Sequence, residues 1–146
     1  MIEFRPIAGS DLPVLRSWLE REHVALWWRE PIEHELAQEL DGRFVIVVDG
    51  RDAGMIQSYP DAEPGVVNVD LLIGEEDLIG LGLGPQALDR FVREVAFADP
   101  RTIAVVATVE EANRRSWRAF EKAGFRHLRD VEENGLPHRL MRLDRG

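Results

Sequence analysis

Apolar residues recur along the chain in two rhythms. Across residues 2–7 (IEFRPI) they fall near every second position, the period of a strand with one buried face. Leu12, Leu15, Trp18 and Leu19 then return at intervals of three and four, which predicts a helix behind the capping candidates Ser10 and Asp11. A second helical stretch is predicted over residues 32–40, after the break at Pro31. The runs at residues 43–49 (RFVIVVD) and 52–59 (DAGMIQSY) flank Gly50 and predict a hairpin. Residues 66–73 (VVNVDLLI) give the strongest strand signal and are predicted to run through the core. From Leu83 onward, Ala87, Leu88, Phe91, Val92, Val95 and Ala96 restore helical spacing with one apolar face. A strand over 102–108 and a helix over 112–123 stopped by Gly124 follow. Two last strands, over 125–130 and 138–143, are joined through the turn at Asn134-Gly135.

Hairpins and crossovers in one chain predict an α/β (α+β) fold with a mixed sheet rather than a purely parallel one. No repeat, low-complexity tract or linker interrupts the 146 residues, so a single domain over residues 1–146 is expected. The absence of cysteine excludes disulfides, thiolate metal sites and cysteine nucleophiles. His23, His34, His127 and His138 lack metal-ligand spacing, so no metal is expected. The apolar runs are too short to span a bilayer, and MIEFRPI lacks the features of a secretory signal. A cytoplasmic protein without a membrane partner is the expectation. Eighteen Lys+Arg against 27 Asp+Glu, a net charge of −9, argue against nucleic acid and favour a cationic partner.

The chemistry gathers around Gly80, Gly82 and Gly84, placed between an acidic loop and a helix. Glycines there let backbone N–H groups approach a ligand, and the helix N-terminus favours phosphate. Pro85 fits the first helical turn. A P-loop is excluded, because no Gly-Lys pair followed by Ser or Thr is present. Gly82-Leu83-Gly84-Pro85-Gln86-Ala87 matches the dinucleotide pattern G-x-G-x-x-A, with Glu110 after the next strand. Yet Gly80 lies seven positions beyond Ile73, whereas a dinucleotide turn follows its strand almost directly.

A third pattern fits better. Ile79-Gly80-Leu81-Gly82-Leu83-Gly84 resembles the pyrophosphate loop of the GNAT acetyltransferase superfamily. Asn113-Arg114-Arg115-Ser116, followed by Phe120-Glu121-Lys122-Ala123-Gly124-Phe125, resembles that superfamily's next signature, N-x-x-(small)-x-x-x-(Y/F)-E-K-x-G-F. With the N-terminal WLEREHVALWW, the resemblance covers essentially the whole chain. Trp27-Trp28 and the stretch Val69-Asp70-Leu71-Leu72-Ile73-Gly74 resemble the branch of aminoglycoside 6′-N-acetyltransferases and siderophore-precursor N-acyltransferases. Asp70 is similar to the aminoglycoside side, since the siderophore enzymes usually carry histidine there. The chain departs from the pattern at Ile79 (usually Gln or Arg), Leu81 (often Lys), Thr108 (often an acid) and Phe120 (often Tyr).

The resemblance implies a mostly antiparallel sheet of six to seven strands flanked by about four helices, with acetyl-CoA as cosubstrate. It implies that Leu72 and Ile73 offer backbone groups to pantetheine and the thioester, and that Gly80, Leu81, Gly82, Leu83, Gly84 and Pro85 hold the pyrophosphate. Asn113, Arg115, Phe120 and Lys122 would complete the cosubstrate site, with Arg114 adding charge. Acetyl transfer to an amine needs alignment, removal of the ammonium proton and stabilisation of the oxyanion. A carboxylate serves the proton step, and Asp70, unusual inside an apolar strand, is the catalytic candidate. Trp27, Trp28, Gln57, Tyr59, Glu76 and Glu110 join Asp70 as candidates for the acceptor, beside Ser58, Glu75 and Asp77. The expected acceptor is the 6′-amine of an aminoglycoside, taken by a monomer or homodimer. A siderophore-type lysine derivative, a protein N-terminus, or non-catalytic acyl-CoA sensing remain the alternatives.

Overall fold

The computed structural model describes all residues, Met1–Gly146. In chain order it contains β1 (Ile2–Pro6), α1 (Leu12–Glu20), α2 (Glu22–Ala25), α3 (Ile32–Leu36), β2 (Arg43–Val48), β3 (Arg51–Pro60), β4 (Val66–Ile73), α4 (Leu83–Phe91), β5 (Ala104–Glu110), α5 (Arg114–Lys122), β6 (Arg126–Glu133) and β7 (Leu136–Asp144). The strands form a seven-stranded sheet in the order β1-β2-β3-β4-β5-β7-β6. Pairing is antiparallel for β1–β2, β2–β3, β5–β7 and β6–β7, and parallel for β4–β5. Five helices stand where about four are expected. The reason is local: Arg21 is extended (ψ 139°) between α1 and α2, and α3 stops at Leu36 instead of reaching residue 40.

The chain forms two compact units, Met1–Gln57 with Leu71–Leu81, and Ser58–Asp70 with Gly82–Gly146, and β3 and β4 contribute strand to both. In the first unit, α1 turns Leu15, Trp18 and Leu19 inward, as its periodicity predicts. They share a core with Ile7, Val24, Val45, Met55 and Leu72, and Trp28 packs at its margin. Asp11 does not cap α1 through its side chain. Its carboxylate instead accepts from the Ala8 amide at 2.8 Å and from Arg5 Nη1 at 2.9 Å, closing a 3-10 turn ahead of the helix. At Gly54 a Cβ would lie 2.0 Å from the Leu72 carbonyl oxygen, so β3 meets β4 where no side chain intervenes.

In the second unit, Ala87, Leu88 and Phe91 bury one stripe of α4, which continues as a π-helical turn over Val92–Ala96. Alternate β5 residues Val105, Ala107 and Val109 are buried, as is Met141 of β7. The parallel ladder is short: Val66, Val67 and Asn68 pair with Ala104, Val105 and Val106, and there it ends. The β6–β7 hairpin turns at Asn134 (φ 52°) and Gly135 (φ 75°), the double positive φ of a type I′ turn that Asn-Gly predicts.

Candidate active site

The second unit carries the proton-handling candidate. Asp70 is partly exposed near the end of β4, and Tyr59 Oη, on β3, donates to its Oδ2 at 3.1 Å. By strand alternation Asp70 shares the sheet face of Asn68, and Thr108 that of Val106, the last ladder pair. On this unit's sheet an open cavity of about 260 Å³ is lined by Asp61, Glu63, Glu132, Glu133 and Thr108 over an apolar floor of Val106, Leu128 and Leu140. Arg129 and Arg142 also line it, and Arg142 is engaged by Glu63 at 3.2 Å and Asp144 at 2.9 Å. The Asn68 amide donates to Asp61 at 3.0 Å, and this bond leads the causes that hold the Asp61 carboxyl below its ordinary pKa.

Gly80 (φ 82°) and Gly82 (φ 77°) adopt the left-handed backbone that the sequence pattern requires. Gly82 caps α4, whose first turn carries no acid and no side-chain cap, leaving its amides available. Gly84 faces α5, where a Cβ would meet Ala119 Cβ at an ordinary contact distance of 3.5 Å. Asn113 precedes α5, whose Arg114, Arg115, Arg118 and Lys122 are exposed. Phe120 is turned into the core at 2 % exposure, edge-on to Phe125 at 5.0 Å between ring centres. Its ring therefore packs the interior beside Phe125. Glu110 ends β5, and its carbonyl accepts from the Asn113 amide at 2.9 Å.

In the first unit the turn after β4 is heavily tethered. Trp18 Nε1 donates to Glu75 Oε2 at 2.6 Å, and Arg21 Nη1 donates to the same oxygen at 3.0 Å. Arg51 reaches Glu75 Oε1 at 3.1 Å and both Asp77 oxygens at 2.8 Å. The Trp18 bond leads the causes that hold the Glu75 carboxyl below its usual pKa. Glu75 and Asp77 are thus occupied with this unit's own side chains, whereas Glu76 is exposed. Gln57 Oε1 accepts from Arg43 Nε at 3.1 Å, while Trp27 is partly buried in the turn after α2.

The expectation for Leu72 changes. Its carbonyl faces Gly54 of β3, so strand alternation puts the backbone groups of Leu71 and Ile73, not those of Leu72, on the other edge. The Ile73 carbonyl already accepts from His23 Nε2 at 2.9 Å, which leaves its N–H as the donor on that edge. His23, Asp61, Glu132 and Glu133 lacked any local motif; only the fold brings them beside β4 or into the cavity.

A family model described as an acetyltransferase (GNAT) domain matches residues 8–133. The chain belongs to the GNAT acetyltransferase family. Its sheet and helices are the GNAT fold. A crystal structure of aminoglycoside acetyltransferase AAC(6')-Ib in complex with coenzyme A is similar, with TM-score 0.89, 26 % identity, and coverage of 99 % of this chain and 95 % of that one. The same enzyme with coenzyme A and kanamycin matches with TM-score 0.88 and 26 % identity, over 99 % of this chain and 95 % of that one. In sequence, aminoglycoside N(6')-acetyltransferase type 1 of Klebsiella pneumoniae is 28 % identical over 148 aligned residues, covering 85 % of this chain and 73 % of that protein. Like its family, this GNAT chain is an N-acetyltransferase, and the uncapped start of α4 offers amides of the kind an anionic cosubstrate needs.

Proposed function

We propose that the enzyme transfers an acetyl group from acetyl-CoA to a primary amine of an aminoglycoside, the 6′-amine. The Asp70–Tyr59 pair carries this reading. It sets a carboxylate on the strand where the family resemblance puts the aminoglycoside-type residue. The acidic cavity around Asp61, Glu132 and Glu133 supports a polycationic acceptor. The named relatives, one of them solved with kanamycin, support the same substrate class.

Bound acetyl-CoA supplies an acyl group already activated as a thioester. The backbone amides at Gly82, Leu83, Gly84 and Gln86 would hold its diphosphate, with Pro85 contributing shape but no N–H. The exposed cations of α5 offset phosphate charge. Asp70 attracts the acceptor's ammonium and accepts its proton, which frees the nitrogen lone pair for attack. Tyr59 holds the carboxylate in place by donating to Oδ2. Phe120 has no proton to give, so the proton taken from the amine is the one on hand for the departing sulfur.

The test is thiol release from acetyl-CoA with kanamycin- and tobramycin-type amines, beside hydroxylysine and peptide amines. Turnover with the aminoglycosides is expected, and Asp70→Asn should lower it by roughly 10²–10⁴-fold while coenzyme A affinity stays unchanged. Release only with hydroxylysine or peptides overturns the substrate, and an unaltered Asp70→Asn rate removes Asp70 from the mechanism.

A further inference from the structure

The exit of β4 is held by more polar contacts than a strand end needs. The Gly74 and Glu75 amides both donate to the Ala53 carbonyl, at 2.8 and 3.2 Å. The Gly74 carbonyl accepts from Arg21 Nη1 at 2.8 Å, and the Ile73 carbonyl accepts from His23 Nε2 at 2.9 Å. Because a carbonyl only accepts, the His23 proton is on Nε2. Glu75 gathers the tethers: its carboxylate binds the Trp18 indole, Arg21 and Arg51. Trp18 is 1 % exposed, and a Cβ on Gly74 would stand 2.1 Å from its ring. Side chains from α1, the α1–α2 junction, α2 and β3 thus converge on three consecutive residues, 73–75.

Only one of those residues presents an amide on the strand edge that β5 leaves unpaired, and that residue is Ile73. His23 takes one of the two acceptor positions of the carbonyl on the same edge and so fixes that peptide's orientation. Leu71 and Ile73 both present an N–H on this edge, and the clamp fixes the direction of the one at Ile73.

We propose that Glu75 and His23 are positioning residues for acetyl transfer, holding the Ile73–Gly74 backbone so that the Ile73 N–H is the donor to the thioester carbonyl. The proposal rests on the acetyl-transfer reading above. Neither residue touches the reacting atoms. Glu75 acts through Trp18 and Arg21 on the position of Gly74, and His23 acts through the Ile73 carbonyl. A donor placed in advance at a developing oxyanion lowers the barrier because it needs no reorganisation as charge forms. A misplacement of about 1 Å forfeits much of that gain.

The full-length enzyme is compared with Glu75→Ala, Glu75→Gln, His23→Leu and His23→Gln. Three quantities are measured: kcat, KM for acetyl-CoA, and the infrared carbonyl band of bound acetyl-CoA carrying carbon-13 at the acyl carbon. Glu75→Ala and His23→Leu should lower kcat by roughly 10- to 100-fold. KM for acetyl-CoA should stay within about threefold, and the carbonyl band should move towards its position in water. His23→Gln, which can return an N–H to the Ile73 carbonyl, should recover most of the loss. If Glu75→Ala does not fold, Glu75→Gln keeps an acceptor for Trp18 while removing the charge that holds Arg21, and it carries the same expectation in milder form. An unmoved band, an unchanged kcat, or His23→Gln no better than His23→Leu overturns the proposal. If wild type releases no thiol with any amine, the acetyl-transfer reading fails, whereas the band of the bound thioester still decides the clamp.

Discussion

The two units are stabilised in different ways. In the second, α4 and α5 are nine residues each and bury apolar stripes or aromatic contacts; α4 starts behind the left-handed Gly82, and α5 stops at the left-handed Gly124. In the first, the helices are nine, four and five residues long, too short to be stable by themselves, and polar tethers do much of the holding. Arg43 shows this best. It is 3 % exposed, and its guanidinium donates to Glu35 Oε1 at 2.7 Å, to the Glu35 carbonyl at 3.2 Å and to Gln57 at 3.1 Å. Burial pulls its pKa below the ordinary arginine value, against the opposing pull of Glu35. Both units bury an apolar core, and the first adds to its own a set of charges and an indole that must find specific partners.

That contrast can be broken most forcefully at Arg43. Arg43→Leu leaves Glu35 buried and uncompensated, and should cost about 3–5 kcal/mol in urea unfolding. Arg93→Ala removes an exposed pair with Asp89 on the helical surface of the second unit, and should cost about 0.5 kcal/mol or less. Equal losses would mean that the buried pair is no tether.

The glycines sharpen the contrast at an intermediate scale. Gly74→Ala drives a methyl into the Trp18 ring and should destabilise by about 1–3 kcal/mol. Gly84→Ala meets Ala119 at an ordinary 3.5 Å, so its melting temperature should stay near wild type while coenzyme A affinity falls. If thermal melts rank these two in reverse, the tethered turn is the more forgiving of the pair.

The smallest effect is in acid. The Glu75 carboxyl has its pKa lowered in the folded protein from an ordinary 4.5, chiefly by the Trp18 hydrogen bond. Its contribution is therefore complete above about that ordinary value, and is lost as pH falls through the lower folded one. Urea midpoints taken from neutral pH into acid should fall less steeply for Glu75→Gln than for wild type. Parallel curves would show that Glu75 holds its partners without its charge.

The same contrast explains what could be read in the sequence. Strand order aside, β4, α4, the Asn-Gly hairpin and the Gly124 stop were legible, because periodicity and positive-φ residues are local signals. Gly80 and Gly82 were legible for that reason too. Asp70 stood out as a charge in an apolar run, and its pairing with Tyr59 needed only two adjacent strands. The first unit was less legible. Asp11 looked like a helix cap but serves the turn before the helix, and residues 32–40 looked like one helix but fold as a shorter one. Leu72 and Ile73 looked equivalent; which of them offers its backbone depends on Gly54, at a distance no local pattern encodes. Glu75 and Asp77 read as part of an acidic loop open to the acceptor, since their partners Trp18, Arg21 and Arg51 lie 24 to 57 positions away. Phe120 satisfied a motif at the spot where a core also needed an aromatic ring.

The short parallel ladder also bears on how the chain assembles. The β6–β7 hairpin closes across two turn residues and can zip within about 1–10 μs. Pairing Val66 with Ala104 must wait until the whole intervening crossover, α4 included, has been laid down. Closing so large a loop costs entropy before three residue pairs can return anything. The β4–β5 junction is therefore expected to be among the last contacts made during folding and among the first lost on unfolding. A strand edge kept open for chemistry is, in kinetic terms, the slow seam of its own construction.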